Sequence, residues 1–197
     1  MTPTYRTIEE MIEMIPEPNR GVCVRILADN RILFQTVQGA SHNHQAWPGG
    51  YFDHVQETMN IAIVLYETLH TLRPLHFTLA DALLVNFFHD IEKPWKYELG
   101  ENGELYYREE LKDKMAQRIF RTQKLHEYGI QLTEEQDNAI RYIEGEFDDY
   151  TNERRVMGPL AAFCHMCDVA SARIWFDHPR AHHDPLHGAE RMRDINI

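Results

Sequence analysis

The sequence predicts a mainly α-helical bundle with two small β-hairpin additions, near residues 21–37 and 96–108. Three observations carry this expectation. Apolar residues recur at intervals of three and four along several segments, the period of one helix face. Helix start and stop signals separate those segments. Strand-like runs are confined to two short stretches, each around a turn signal.

In chain order, Ile8, Met11, Ile12 and Ile15 give residues 7–15 an amphipathic helical pattern, which Pro16 and Pro18 end. Residues 21–27 and 31–37 are rich in β-branched residues and flank Asp29-Asn30, so they read as a hairpin. Residues 39–53 are loop-like. From His54 to Leu69, Val55, Met59, Ala62, Ile63, Tyr66 and Leu69 mark a helix face. Thr78 followed by Asp81 resembles a capping box, and the helix it opens is apolar on most sides, as expected of a central element. The Gly100-Glu-Asn-Gly103 stretch suggests the second hairpin. An exposed helix then ends at Gly129, another opens at the Thr133/Gln136 box, and Pro159 sits where Pro is favoured, in the first turn of a last long helix. After Asp177 the chain turns polar, with four histidines (178, 182, 183 and 187) in a tail expected to pack poorly.

At 197 residues, with 43% hydrophobic and 26% charged residues, the chain suits one domain with its own core. Its formal net charge of -11 repels polyanions, which disfavours binding to duplex nucleic acid. A small anionic substrate remains compatible, because a few local cations and a metal can reverse the field inside a cleft. Three cysteines, the absence of a cationic N-terminus leading into an apolar run, and a longest apolar run of only residues 82–88 together predict a cytoplasmic protein with no membrane partner. The composition is compatible with a homo-oligomer.

The chemistry is concentrated in histidines that stand beside carboxylates. His89-Asp90 closes the most apolar helix, where a carboxylate opposes the helix dipole and calls for a compensating cation. His54 opens a helix after a Trp-Pro-Gly-Gly segment. Asp168 is embedded among Ala161, Ala162, Phe163, Val169 and Ala170. An exposed polar helix end would account for His89-Asp90 alone, and a solvent-facing position for Asp168; periodicity does not show that the three helices converge.

Three ordered segments resemble the HD superfamily of metal-dependent phosphohydrolases. His44-Gln-Ala-Trp-Pro-Gly-Gly-Tyr-Phe-Asp-His54 is similar to the family's lead into its first ligand histidine. His89-Asp-Ile-Glu-Lys-Pro94 is similar to its His-Asp doublet, and His165-Met-Cys-Asp168-Val-Ala-Ser-Ala-Arg173 to its closing Asp segment. The resemblance covers residues 40–176, the core of a single HD-type domain over 1–197, with the helix and hairpin of residues 7–37 before it and the tail of residues 177–197 after it.

The resemblance implies one divalent ion held by His54, His89, Asp90 and Asp168. Such mixed N/O ligands suit Mn, Fe, Co, Ni or Mg. The ion would activate water for attack on phosphorus. Lys93 is the expected phosphate ligand, with His44 and Arg173 as further substrate-binding candidates. Glu57, one turn after His54, is expected to orient a ligand or relay a proton. A solvated surface position is the plainer alternative for Lys93, Glu57 and Arg173. Glu92 stands where the family's doublet usually carries Gly. Glu144-Gly-Glu146 stands where two-metal relatives carry His-His-Gly, so one metal is expected. Cys164 and Cys167 have no second pair to complete a zinc site and are expected to be structural.

The function expected is hydrolysis of a phosphate ester or anhydride of a nucleotide, including a deoxynucleotide. Two alternatives stand beside it: a phosphodiesterase acting on RNA ends or cyclic nucleotides, and a non-catalytic HD scaffold or ligand sensor.

Overall fold

A computed structural model of the protein describes residues 4–40, 44–99 and 105–176. Its elements, in order, are α1 (Ile8–Ile12), α2 (Asn19–Asp29), α3 (Arg31–Thr36), α4 (Gly50–Leu72), α5 (Leu79–Phe88), the single turn α6 (Lys93–Lys96), β1 (Tyr97–Leu99), β2 (Leu105–Tyr107), α7 (Lys114–Tyr128), α8 (Glu134–Tyr142) and α9 (Pro159–Ile174). The mainly helical class expected from the sequence is the one observed. The tail histidines lie outside the described residues.

Helix boundaries follow local chemistry. Thr7, Thr78 and Thr133 each close a capping box, with Glu10, Asp81 and Gln136 respectively, so both side chains satisfy backbone amides that a helix start leaves unpaired. Asp113 caps α7 by accepting from the amides of Met115 and Ala116, and Gly129 ends it in the left-handed conformation (φ 74°) that glycine adopts without a Cβ clash.

Helix α5 is the centre of the bundle. Residues 82–88 are all buried, and α4, α8 and α9 pack around it, with α1 covering part of one end. Its apolar composition on every side is the physical signature of that position. β1 and β2 form the antiparallel hairpin expected near residues 96–108, paired Tyr97 to Tyr107.

The hairpin expected near residues 21–37 is a correction: this stretch is helical, as α2 and α3. Val22, Cys23, Ile26 and Leu27 are the buried residues of α2, a spacing of one helical stripe rather than strand alternation. Tertiary burial of that stripe overrides the β propensity of its branched residues. Asn30 (φ -120°, ψ 17°) ends α2 and begins α3, so the Asp-Asn signal marks a helix–helix corner. Helix α4 also starts one turn earlier than expected, at Gly50, and Pro94 stands in the first turn of α6.

Candidate metal centre

The Pro-Gly-Gly segment before His54 is a fold device. Gly49 (φ 79°) occupies left-handed space, and a Cβ on Gly50 would lie 1.9 Å from the Gln45 carbonyl oxygen. Gly50 therefore lets the loop fold onto the start of α4, which sets the direction of the first turn and the position of His54.

Three helices then bring their ligands together. His54 from α4, His89 at the end of α5 and Asp168 from α9 each offer one donor atom, all within 4.8 Å of one another, as a metal site requires. His54 Nε2 lies 3.1 Å from His89 Nε2 and 3.2 Å from Asp168 Oδ1, and His89 Nε2 lies 3.7 Å from Asp168 Oδ1. Asp90 Oδ2 adjoins both imidazoles, 3.1 Å from His89 Nε2 and 3.5 Å from His54 Nε2, and also receives Lys93 Nζ at 2.5 Å. Both histidines are fully buried. Donor atoms about 2.1 Å from a common ion are separated by about 3.0–3.4 Å at octahedral or tetrahedral angles, and most of these separations fall in or near that range.

The partners behind the site fix which nitrogens carry protons. His89 Nδ1 faces the Asn86 carbonyl oxygen at 2.7 Å and must donate to it. Ser171 Oγ donates to Glu57 Oε2 (2.7 Å), so it accepts from His54 Nδ1 (3.0 Å). Each imidazole thus spends its proton on the far side and turns an Nε2 lone pair inward. Two lone pairs and two carboxylates converge on one point, which only a cation makes favourable. The residues present fit a divalent metal.

Where the cation is a proton, it resides on the histidine best surrounded by negative charge. Burial opposes protonation of His89, but the Asp90 carboxylate and then Asp168 outweigh it and raise its pKa to about 8. Burial likewise opposes ionisation of Asp168, yet the neighbouring His54 and the charge on His89 hold it at about 2. Asp90 is held well below the carboxylate range against its burial, first by Lys93 and then by His89.

The ligands stand at the foot of a cleft of about 350 Å³, whose lining includes His44, Asp90, Lys93, Lys114, Glu144, Phe147, His165, Asp168 and Arg173. Of the substrate-binding candidates, Lys93, His44 and Arg173 all reach it, Lys93 while paired with Asp90. His44 donates Nδ1–H to Gln45 Oε1 (2.6 Å), and burial, then Lys93, lower its pKa to about 4, so it is neutral. Glu57 is not in the cleft wall. It stands behind His54, where its carboxylate accepts from Ser171 Oγ.

Several contributors lay beyond the sequence reading. Gln45, buried and with a positive φ of 42°, donates Nε2–H to the Ser171 carbonyl (3.1 Å) and to Ser171 Oγ (3.2 Å), which ties the His44 loop to α9. Ser171 lies one turn after Asp168, and that spacing was its only signal. Glu92, the departure from the doublet pattern, forms a bidentate buried ion pair with Arg121 of α7 at 2.9 and 3.1 Å. Glu144 is held by Lys114 (2.8 Å) and lies 3.6 Å from Arg121. It completes no second group of metal ligands among the described residues. Cys23, Cys164 and Cys167 are buried free thiols. No helix among the described residues is long and apolar enough to cross a membrane.

Comparison with protein-family profiles, with curated proteins and with solved structures finds no match to this chain. Fold and site geometry therefore carry the functional argument.

Proposed function

We propose that the protein is an HD-type, metal-dependent phosphohydrolase acting on a phosphate ester or anhydride of a small phosphorylated molecule, with nucleotides as the leading substrate class. The observation that carries this reading is the convergence of two fixed imidazole lone pairs and two carboxylates at the foot of a cleft whose wall also presents Lys93, Lys114 and Arg173. His54, His89 and Asp168 would hold the ion, with Asp90 as fourth ligand. When bound, such an ion supplies Lewis acidity toward a phosphoryl oxygen and makes water more acidic.

The protein's own groups supply the rest. Lys93 and Arg173 attract a phosphate into a chain whose net charge would otherwise repel it. Asn86 and Ser171 hold the imidazoles in the ligating tautomer. Glu57 orients Ser171 by accepting its proton. The cleft has the size of a small-molecule site, which favours a mononucleotide over a polymer end.

The test is phosphate release from nucleoside mono-, di- and triphosphates by chelator-stripped protein reconstituted with Mn²⁺, Co²⁺, Ni²⁺ or Mg²⁺, with a labelled oligoribonucleotide in the same panel. Stoichiometric metal uptake and release from a nucleotide, both lost in His89→Ala and Asp168→Ala, are expected. Folded protein that takes up no metal, or takes it up and cleaves no nucleotide, would overturn the reading.

A further inference from the structure

Among the described residues, two that are not glycine adopt a positive φ: Gln45 (42°) and Phe147 (46°). Left-handed backbone is costly for any residue with a Cβ, and for a bulky aromatic it is a true outlier. Strain of this kind persists where the surroundings enforce it, and it concentrates at functional sites. Both residues belong to the cleft region, Gln45 through its bond to His44 and Phe147 in the wall itself.

The two differ in what their side chains gain from the fold. Gln45 is buried, and its amide is spent on Ser171 and His44, so structure accounts for it. Phe147 is 55% exposed, so hydrophobic burial does not. Its turn is nevertheless fixed from both sides. Glu146 accepts the amides of Val156 (2.7 Å) and Met157 (2.8 Å), and Asp149 accepts from Tyr142 (3.0 Å) and Arg141 (2.8 Å). The Arg118 guanidinium sits 5.2 Å from the ring centroid, which braces the ring without burying it. An anchored turn thus holds a large, wet aromatic surface in the wall of a cleft whose foot collects phosphate-binding groups.

We infer that Phe147 is a stacking platform for a planar ring carried by the substrate, so that the cleft takes nucleotides in preference to simple sugar phosphates. The inference rests on the phosphohydrolase reading and names its substrate class. The phosphate lies toward Lys93 and the ligand group, and the base lies against Phe147. Stacking on an aromatic tolerates different bases, because each presents a π face.

The decisive variant is Phe147→Gly, which removes the ring and relieves the backbone at once. A structural Phe147 would make this variant less stable. A platform gives opposite signs: the melting temperature holds or rises, while binding of nucleoside 5′-monophosphates weakens by about 5- to 150-fold, the range of one base–aromatic stack. Two readouts are needed, calorimetric binding of the four ribonucleoside 5′-monophosphates and kcat/KM for them against ribose 5-phosphate. Ribose 5-phosphate should be little affected, and Phe147→Trp should restore nucleotide binding. Equal losses for nucleotide and sugar phosphate, or unchanged nucleotide binding in Phe147→Gly, would overturn the platform and leave the phosphohydrolase reading standing. Metal-loaded wild type that binds nucleotides and releases no phosphate from any compound would overturn the hydrolase and leave the platform testable by binding alone.

Discussion

Replacing Ser171 by Ala tests whether the site is built to hold metal, because Ser171 offers the ion no donor atom of its own in the His54, His89 and Asp168 group and acts through the ligand His54. Its hydroxyl accepts His54 Nδ1–H at 3.0 Å and donates to Glu57 at 2.7 Å in a fully buried position. In the alanine variant the His54 proton has no acceptor behind it and is free to move to Nε2, toward Asp168. Metal binding must then force the proton back to a buried nitrogen with no partner, at a cost of about 1–3 kcal/mol. The expected loss of affinity is therefore about 5- to 150-fold, in line with measured effects of deleting groups that orient metal ligands. Titration with Co²⁺, followed by its visible absorption and by calorimetry, measures it. Glu57→Gln is the control: its side-chain oxygen still accepts from Ser171, so affinity should change by less than about threefold. Folded Ser171→Ala that binds Co²⁺ as tightly as wild type would refute the tautomer argument.

Other predictions follow from neighbouring contacts. Arg121→Met should destabilise the fold by about 3–5 kcal/mol, because it strands the buried Glu92 carboxylate, and Arg121→Met with Glu92→Met should recover most of the loss in urea denaturation. In metal-free protein the His89 pKa of about 8 lies above its usual 6.5, so protonation stabilises the fold fully below about pH 6.5, and that gain is lost as pH rises through 8. The shift corresponds to on the order of 2 kcal/mol. Denaturation midpoints at pH 6.5 and 8.5 in chelator should show that fall, while metal affinity should rise over the same interval as the competing proton leaves. Gly50→Ala should unfold the protein or displace His54, because its Cβ cannot share space with the Gln45 carbonyl; soluble variant with wild-type metal affinity and melting temperature would contradict this.

The helices that carry the converging residues were legible from local rules, whereas the choice of His54, His89 and Asp168 came from three ordered segments that resemble the HD pattern. The apolar run of α5, the capping pairs and the glycines before His54 are short-range signals; His54 and His89 stand next to two of them, while Asp168 lies inside α9. What was not legible depends on partners far apart in the chain. Gln45 and Ser171 meet across 126 positions, and Glu92 and Arg121 across 29, with no periodicity to announce either contact. The misread stretch, residues 21–37, has a related cause. Its branched residues favour strands, and only the burial of Val22, Cys23, Ile26 and Leu27 against the rest of the core decides for helix.

The turn that joins α5 to α6 carries unequal tasks on adjacent residues: Asp90 faces the two imidazoles, Glu92 anchors the turn to α7, and Lys93 reaches into the cleft. All three are fastened to the most deeply enclosed helix of the molecule. Lys114, Phe147 and Arg173 are instead exposed and project from other parts of the rim. Asp90 and Lys93 thus share one support, Asp168 and Arg173 share α9, and Lys114 and Phe147 stand on neither. On the proposed reading, substitution of Lys114 or Phe147 would redraw the rim while the His54, His89 and Asp168 group keeps its spacing.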